Sequence, residues 1–495
     1  EMTSSLVGSE MCIRDRDRNT LLKIQIIETL DALQTPISMK ELQEIIGHAS
    51  LGTIRVNCKE LQSIIEDLYI DKDYSLRLRM DNGRGIQLDR TSTNLQSLIS
   101  YLYQHDLACE IIRAVLARRK ISAIQFCMEK NISESKLRRK IKEINQELTD
   151  YDLYISCSTK ISLKGREVDI RRFYYIFVRG LYYQFTQIEW LNTKSYLQLA
   201  RQIEEYLKLT NNPANSEMIC FWLLITNQSL SKKGTLSFNE IENDWLNQFK
   251  YPKKPSFLKT WNTHEWKFFL YAIYSSQLNN FELQPKNTVD ESFFTQVITH
   301  WTTNFSRHFR PLSTREQKVI ARKLKQHYAS LIFFRLNDQM LEHLKNNFAL
   351  DNLQTQCPYY YRRFDAFWED FTEAAPGFAH RQLRIFSFLT CVTLYSFENC
   401  LPEISVYAFS EHNELFSVFI QEKINLHFKN RYHLKFVEDP NKAQLIIGTS
   451  PGCKDLQLED KKYVIIRANL CGTDFNAIEN VLEVLVKKEL ENTAK

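Results

Sequence analysis

The sequence is poor in glycine and proline, and it has no apolar run of membrane-spanning length. Only 12 glycines and 11 prolines occur among 495 residues, so long disordered linkers are not expected. The longest uncharged apolar-rich stretch, residues 385–397, is too short to span a membrane and contains Ser and Thr, which favours a buried helix. A chain of 495 residues is too long for one hydrophobic core, so we expect three or more domains.

Paired cysteines are also missing. The 11 cysteines are scattered: no two form a Cys-x-x-Cys pair, and none lies beside a histidine at zinc-ligand spacing. This pattern predicts free thiols in a reducing cytoplasm and argues against a metal site. We therefore expect a cytoplasmic protein that holds neither a metal nor a cofactor.

The most informative stretch is the helix predicted at residues 133–148. Its apolar residues Leu137, Ile141, Ile144 and Leu148 recur at spacings of four, three and four, which is one stripe of a helix, and Ser133 or Ser135 can cap its start. The helix dipole disfavours positive charge in the first turns, so an external polyanion is the simplest compensation. Taken alone, the helix is equally well explained by a solvated basic face. The candidate DNA contacts on this face are Ser135, Lys136, Arg138, Arg139 and Lys142.

The neighbours of this helix favour DNA binding. Helical patterns at residues 107–118 and 121–131 precede it, and two alternating strands at residues 153–157 and 160–166 follow. This is the order of a winged helix-turn-helix, in which the basic helix enters the major groove. Residues 107–172 hold 15 Lys/Arg and 9 Asp/Glu, a net charge of +6, whereas the whole chain has +5. The excess of positive charge is therefore concentrated where phosphates would bind.

The same plan occurs earlier in the chain. Helical patterns at residues 20–33, 38–46 and 50–68 precede an alternating hairpin around Asn82–Gly83, and Ser38 with Glu41 predicts a capping box. Residues 20–90 hold 9 basic and 11 acidic residues, so we expect the second copy to be the main DNA binder. The candidate contacts in the first copy are Thr53, Arg55, Asn57, Lys59 and Arg84.

In the remaining two thirds of the chain, the hydrophobic periodicity changes once. Residues 174–397 show only helical patterns with dense aromatic clusters, which are typical of helix-bundle cores, and the polar stretch 279–290 indicates a boundary between two bundles. Beyond residue 401, strands alternate with helices, which predicts a small parallel α/β sheet.

The chain resembles the Mga/AtxA-type virulence transcription regulators of Gram-positive bacteria. The resemblance rests on the two tandem winged helices, on the order of the domains and on three residues where the chain leaves the second wing: Gly165, Glu167 and Arg171. The resemblance covers essentially the whole chain after residue 16. It implies two DNA-binding domains, two phosphotransferase-regulation (PRD) bundles and a C-terminal domain similar to the sugar-transport component EIIB, which helps the protein to dimerise. Such bundles are phosphorylated on histidine by the phosphocarrier of the sugar phosphotransferase system, and His264 and His327 are the candidate acceptors.

The predicted fold is therefore multidomain and mainly α. Residues 1–16 lack periodicity and look like translated sequencing-adapter sequence, so we exclude them as an artefact. The domains then follow in order: winged helix-turn-helix 1 at 17–92, winged helix-turn-helix 2 at 93–172, all-helical PRD-like bundles at 173–284 and 285–400, and an EIIB-like α/β domain at 401–495.

The predicted function is a DNA-binding transcription regulator, not an enzyme, that is modulated by histidine phosphorylation and by homodimerisation. Its predicted partners are double-stranded promoter DNA and the phosphocarrier, with no membrane. The alternatives are a phosphoryl-transfer component of a sugar phosphotransferase system and an RNA-binding antiterminator. A working EIIB enzyme needs a nucleophilic Cys in the loop after its first strand, and residues 410–414 contain none. An antiterminator would need a β-rich N-terminal module, whereas this N-terminus reads as helical.

Replacing Arg139 and Lys142 by Ala is expected to weaken binding to every DNA sequence and to reduce its salt dependence, because each lost phosphate contact removes about one released counterion. The fold should survive, since both residues lie off the apolar stripe. Gel-shift titrations over a range of salt concentrations measure both effects. Unchanged affinity at low salt would exclude the second winged helix as the main DNA-binding element.

Overall fold

The computed structural model describes residues 18–33, 35–69, 76–81, 85–182, 184–210, 212–276, 281–286, 290–347, 350, 353–411, 414–429, 431–456, 458 and 461–492. The excluded residues 1–16, the predicted turn Asn82–Gly83 and the candidate contact Arg84 lie outside these described residues. The chain forms two compact units. The first comprises Glu1–Ser292 and Arg322–Phe348, and the second comprises Phe293–Ala321 and Ala349–Lys495.

The first unit begins with three helices and a hairpin. Ser38 Oγ accepts a hydrogen bond from the backbone N–H of Glu41 at 3.1 Å, and the Glu41 carboxylate accepts one from the N–H of Ser38 at 2.7 Å, which confirms the capping box. Gly47 ends that helix with a φ of +76°, a conformation that favours glycine. The elements are α1 (Arg18–Leu33), α2 (Met39–Ile46), α3 (Leu51–Tyr69), β1 (Leu76–Asp81) and β2 (Gly85–Arg90).

A second segment repeats this plan and adds a helix at its start and a strand, neither of which the sequence pattern predicted. Its elements are α4 (Gln96–Gln104), α5 (Leu107–Arg118), β3 (Lys120–Ser122), α6 (Ala123–Lys130), α7 (Glu134–Leu148), β4 (Tyr154–Cys157) and β5 (Lys160–Lys164). The strand order is β3-β5-β4, and all pairs are antiparallel. In the first segment, Ile37 forms a β-bridge to Ile86 of β2, so it occupies the place of β3. Both segments therefore have the topology of a winged helix-turn-helix.

Helices fill most of the rest of the first unit. Helix α8 runs without a break through the predicted domain boundary at residue 172. The prediction of an all-helical bundle needs a correction, because two-residue strands β6 and β7 pair antiparallel; so short a pairing leaves no periodicity in the sequence. The elements are α8 (Glu167–Leu181), α9 (Thr193–Leu207), α10 (Pro213–Ser231), α11 (Glu240–Asn247), β6 (Phe249–Lys250), α12 (Thr263–Ser275) and β7 (Gln284–Pro285).

One continuous apolar core runs through both winged helices and into α10 and α12. The aromatic clusters of the sequence lie in this core, as their density predicted. Trp222 of α10 is fully buried and stacks on Tyr175 of α8, with ring centroids 4.6 Å apart. Trp266 of α12 is also buried. The core leaves no solvated linker between the second winged helix and the helices that follow it.

The described residues between 290 and 394 form the α-helices α13 (Asp290–His308), α14 (Thr314–Phe333), α15 (Asp338–Asn347), α16 (Leu353–Gln356), α17 (Pro358–Ala374) and α18 (Arg381–Leu394). The boundary between the two units crosses α14, so that the part of α14 from Arg322 onward and the whole of α15 belong to the first unit. Aromatic side chains from α13, α17 and α18 form one core of the second unit, where Trp301 stacks on Phe305 with ring centroids 5.2 Å apart. The six-part division of the chain stays a prediction.

The C-terminal part of the second unit is the predicted small parallel sheet with helices. The strand order is β11-β10-β8-β9, and every pair is parallel. Its elements are β8 (Glu403–Phe409), α19 (Glu414–Phe428), β9 (His433–Phe436), β10 (Leu445–Gly448), β11 (Lys462–Ile465) and α20 (Gly472–Asn492). The prediction of a mainly helical, multidomain chain with a small parallel sheet is confirmed. No helix in the described part of the chain is long and apolar enough to cross a membrane.

Candidate nucleic-acid interface

Helix α7 presents the predicted basic face to solvent. Leu137, Ile141, Ile144 and Leu148 are all buried against the domain core, and the backbone N–H of Lys136 donates to Ser133 Oγ at 3.2 Å, which caps the helix. All five candidate DNA contacts lie on the opposite, exposed face: Ser135, Lys136, Arg138, Arg139 and Lys142. The sequence periodicity therefore placed the whole set correctly, since each residue is off the apolar stripe.

The cations of this face differ in how firmly they are held. Arg138 donates to Glu134 Oε1 at 2.6 Å and to the backbone carbonyl of Cys157 at 3.1 Å, so it ties α7 to the end of the wing strand β4. Arg139 lies 3.9 Å from Glu143, whose carboxylate is closer to Lys140, at 2.7 Å. Within the described residues, Lys136 and Lys142 form no ion pair. Lys136, Arg139 and Lys142 are therefore the cations best placed to meet backbone phosphates.

Helix α3 repeats the frame of α7 in register. The backbone N–H of Thr53 donates to Ser50 Oγ at 3.2 Å, as Lys136 does to Ser133, so the two caps align the two helices. The buried residues then correspond in order: Ile54 with Leu137, Cys58 with Ile141, Leu61 with Ile144 and Ile65 with Leu148. The exposed positions correspond as well, and each helix thus presents one equivalent face away from its core.

The predicted contacts on α3 are only partly on this face. Thr53, Arg55 and Lys59 are exposed. Asn57 is a correction: its side chain is only 3% exposed, and its Nδ2 donates to the Thr53 carbonyl at 2.9 Å. It lies three residues after Ile54, on the buried stripe, where it cannot reach a base edge. The spacing was visible in the sequence, but the polar type of the residue outweighed it in the prediction.

The two candidate histidines occupy opposite environments. His264 is exposed in the first turn of α12. His327 in α14 is only 3% exposed, and burial, with a smaller contribution from Lys323, lowers the pKa of its imidazole to about 3. A side chain shut away from solvent does not suit an acceptor that must meet the active site of a second protein, so the choice of His327 is corrected. Its cationic neighbours in the sequence gave no sign of this burial.

His308, at the end of α13, is partly exposed and is oriented by a carboxylate. Its Nε2 lies 2.8 Å from Asp370 Oδ2, and Arg307 donates to the same oxygen at 3.1 Å. The hydrogen bond from His308 holds the pKa of the Asp370 carboxyl below its usual range. When Nε2 donates to the carboxylate, Nδ1 keeps a lone pair, which is the state that a phosphoryl acceptor needs.

A buried charge cluster joins the second winged helix to the helices after it. Arg171 of α8 is fully buried; its guanidinium donates to Glu167 at 3.0 Å, to Ser229 Oγ of α10 at 2.7 Å and to Glu265 of α12 at 3.1 Å. Arg119, which follows α5, donates to the same Glu167 oxygen at 2.8 Å. We call these five residues the Arg171 cluster.

Two further features surround this cluster. Gly234 packs against the cluster and leaves no room for a side chain, because a Cβ at this position would lie 2.8 Å from the carboxyl carbon of Glu167. At the N-terminus of α8, Arg166 bridges Asp169 at 2.7 Å and Glu242 of α11 at 2.9 Å. Glu167 and Arg171 were singled out in the sequence because they follow the second wing. Their partners Ser229 and Glu265 could not be predicted, since no local spacing connects these residues to Arg171. In the described part of the chain, no group of three or more His, Cys, Asp or Glu side chains is placed to hold a metal ion.

Comparison with protein-family models identifies the second winged helix. Residues 91–178 match the model of the Mga helix-turn-helix domain. The match extends from before α4 into α8, so it includes α7, its basic face and both Glu167 and Arg171. It confirms the resemblance to Mga-type regulators over this part of the chain. A comparison with curated proteins gave no match.

Replacing Arg171 by Met is expected to destabilise the protein by about 3–5 kcal/mol, because the buried carboxylate of Glu265 loses its counter-ion. The double variant Arg171→Met with Glu265→Met should recover most of this loss, since no buried charge is left unpaired. Urea unfolding followed by tryptophan fluorescence measures both, and Arg201→Met, at an exposed position of α9, is the control. Equal stability of the wild type and Arg171→Met would refute a stabilising cluster.

Proposed function

We propose that this chain, with its Mga-type winged helix-turn-helix, is a transcription regulator that binds promoter DNA. The observation that carries the proposal is the exposed basic face of α7 within the domain that matches the Mga family. The N-terminal half of such a helix enters the major groove, while cations on its flanks contact phosphates. Helix α3 presents an equivalent face, so we propose that both winged helices contact the same duplex. The chain then acts by binding and is not an enzyme.

We further propose that the helical regions between residues 173 and 400 are PRD-like and receive phosphoryl groups from the phosphocarrier of the sugar phosphotransferase system. The acceptors in this proposal are His264 and His308. His264 is exposed and lies in the first turn of α12, where the helix dipole favours added negative charge. His308 is oriented by Asp370 and flanked by Arg307. A phosphoryl group adds about two negative charges, and cations nearby stabilise it.

The position of His264 offers a physical route from the phosphoryl group to DNA. The next residue, Glu265, binds Arg171 in the buried cluster, which also holds Arg119 at the end of α5. New negative charge at the start of α12 competes for these cations or shifts the helix. Either effect changes how firmly the second winged helix is held. The sign of the change is what the experiment below measures.

Transfer from phosphoenolpyruvate through purified phosphocarrier should label the full-length protein with an acid-labile phosphoryl group. His264→Ala and His308→Ala should each lose part of the label, and the double variant should lose nearly all of it. His300→Ala, on the same helix as His308, is the matched control and should keep the label. Gel shifts with and without phosphorylation then report the effect on DNA binding. A double variant that is labelled like the wild type would rule out both acceptors.

We also propose that the C-terminal α/β domain is EIIB-like, has lost its chemistry and serves homodimerisation. The loop after β8 contains no Cys, and Cys453, which follows β10, is fully buried. Helix α19 exposes an apolar surface that includes Phe416 and Phe419, which are 47% and 55% exposed, whereas Phe428 belongs to the core. Exposed apolar surfaces of this kind mark interaction sites. Two-fold pairing would double the DNA contacts of each chain.

The full-length variant Phe416→Glu with Phe419→Glu is expected to be a monomer, because two charges would have to be buried at the interface. Light scattering at micromolar concentration measures the mass. Ile241→Glu, at a position of α11 that is 65% exposed, is the control and should stay dimeric. A monomeric wild type, or a double variant that remains fully dimeric, would contradict this interface.

A further inference from the structure

The two recognition helices differ most in chemical character at one exposed position of their shared frame, where one has an aliphatic side chain and the other a cation. With Ser50 aligned to Ser133, Val56 of α3 takes the place of Arg139 of α7. Val56 is 55% exposed, although the buried stripe of the same helix is already complete with Ile54, Cys58, Leu61 and Ile65. An exposed β-branched side chain neither fills the core nor favours the helix. The position is therefore apolar on the face that the second copy uses for a cation.

The surroundings of Val56 suit close contact with a polyanion. Arg55, the preceding residue, and Lys59, about one turn later, are both exposed on the same flank of it. One turn earlier, Gly52 has no side chain, and a Cβ there would meet nothing nearer than Ser50 Oγ at 3.9 Å. One turn later, Glu60 lies 2.6 Å from Lys23, which compensates its negative charge. The helix can thus approach DNA closely at Val56 while cations hold the flanking phosphates.

A valine at this position can recognise one feature of the major groove. It has no hydrogen-bonding group, so it cannot read the donors and acceptors of base edges or bind a phosphate. The 5-methyl group of thymine is the apolar feature that the major groove displays. Burying Val56 against that methyl group removes both from water.

We propose that Val56 is a specificity-determining residue that contacts the 5-methyl group of a thymine in the major groove. The proposal rests on the proposed DNA-binding function and names what the first winged helix reads. The two winged helices then have different roles in DNA binding. The cationic α7 supplies sequence-independent affinity, and α3, in a segment with a net charge of −2, supplies preference for thymine at one position of the site.

The experiment uses the full-length protein and a duplex that it selects from a random DNA library. Each thymine of the selected site is replaced in turn by deoxyuridine, which lacks only the 5-methyl group. The wild type should lose about fourfold in affinity at one thymine, the effect of one buried methyl group. In Val56→Ala, the same replacement should have little effect. Ile241→Ala, a similarly exposed aliphatic position in α11, should discriminate like the wild type.

A second variant tests the correspondence between the two helices. Val56→Arg recreates the side chain that α7 carries at this position. It should bind all sequences more tightly, raise the number of released counterions by about one and lose the thymine preference. Val56 is exposed, so neither variant should affect folding, which circular dichroism checks.

Three results would overturn the proposal, and they are distinguishable. If the wild type and Val56→Ala bind the selected site and respond equally to every thymine replacement, Val56 does not read thymine, while DNA binding stands. The same holds if no thymine matters to the wild type, in which case Val56 faces something other than the major groove. If the wild type selects no sequence and shows no salt-dependent binding at all, the DNA-binding function fails together with the proposal.

Discussion

The buried guanidinium of Arg171 is the constraint on which the arrangement of the first unit depends. A charge with no exposure to solvent is tolerated only when counter-ions and hydrogen-bond acceptors surround it, because its desolvation is costly. Those groups come from α8, α10 and α12 at once, and the neighbouring Arg119 brings in the end of α5. Four segments must therefore take one relative position for the cluster to be satisfied. The interaction specifies a geometry more than it adds stability.

The second winged helix is packed directly against the helices that follow it, without a flexible linker. The apolar core continues from the winged helices into α10 and α12, so the second winged helix cannot swing as a free module. In the regulation proposed above, a signal from the helical region would act through small shifts of packed helices. The charge cluster is well suited to pass such a shift on, since it has to be satisfied in every state. His264 lies next to one of its carboxylates, which places an accessible imidazole beside a buried ion pair.

The two winged helices show how one frame can serve two purposes. Their caps, buried stripes and strand topology correspond, so both present the same face at the same register. The buried positions are apolar in both helices, whereas the exposed residues differ in chemical character. One face is crowded with cations, and the other places a valine between an arginine and a lysine. The packing that builds the domain is thus alike in both segments, while the few positions outside that packing are available for different contacts with a ligand.

The sequence by itself determined most features that depend on local spacing. The caps Ser38 and Ser133, the exposed basic face of α7 and the alternation of strands and helices at the C-terminus were all readable, because helix and strand periods repeat within a few residues. Only the tertiary structure decided which polar residues lie inside. His327 is buried despite the cation Lys323 one turn before it, and the partners of Arg171 are 58 and 94 residues away. Burial and ion pairing between distant segments depend on how helices pack, and no local pattern encodes that choice.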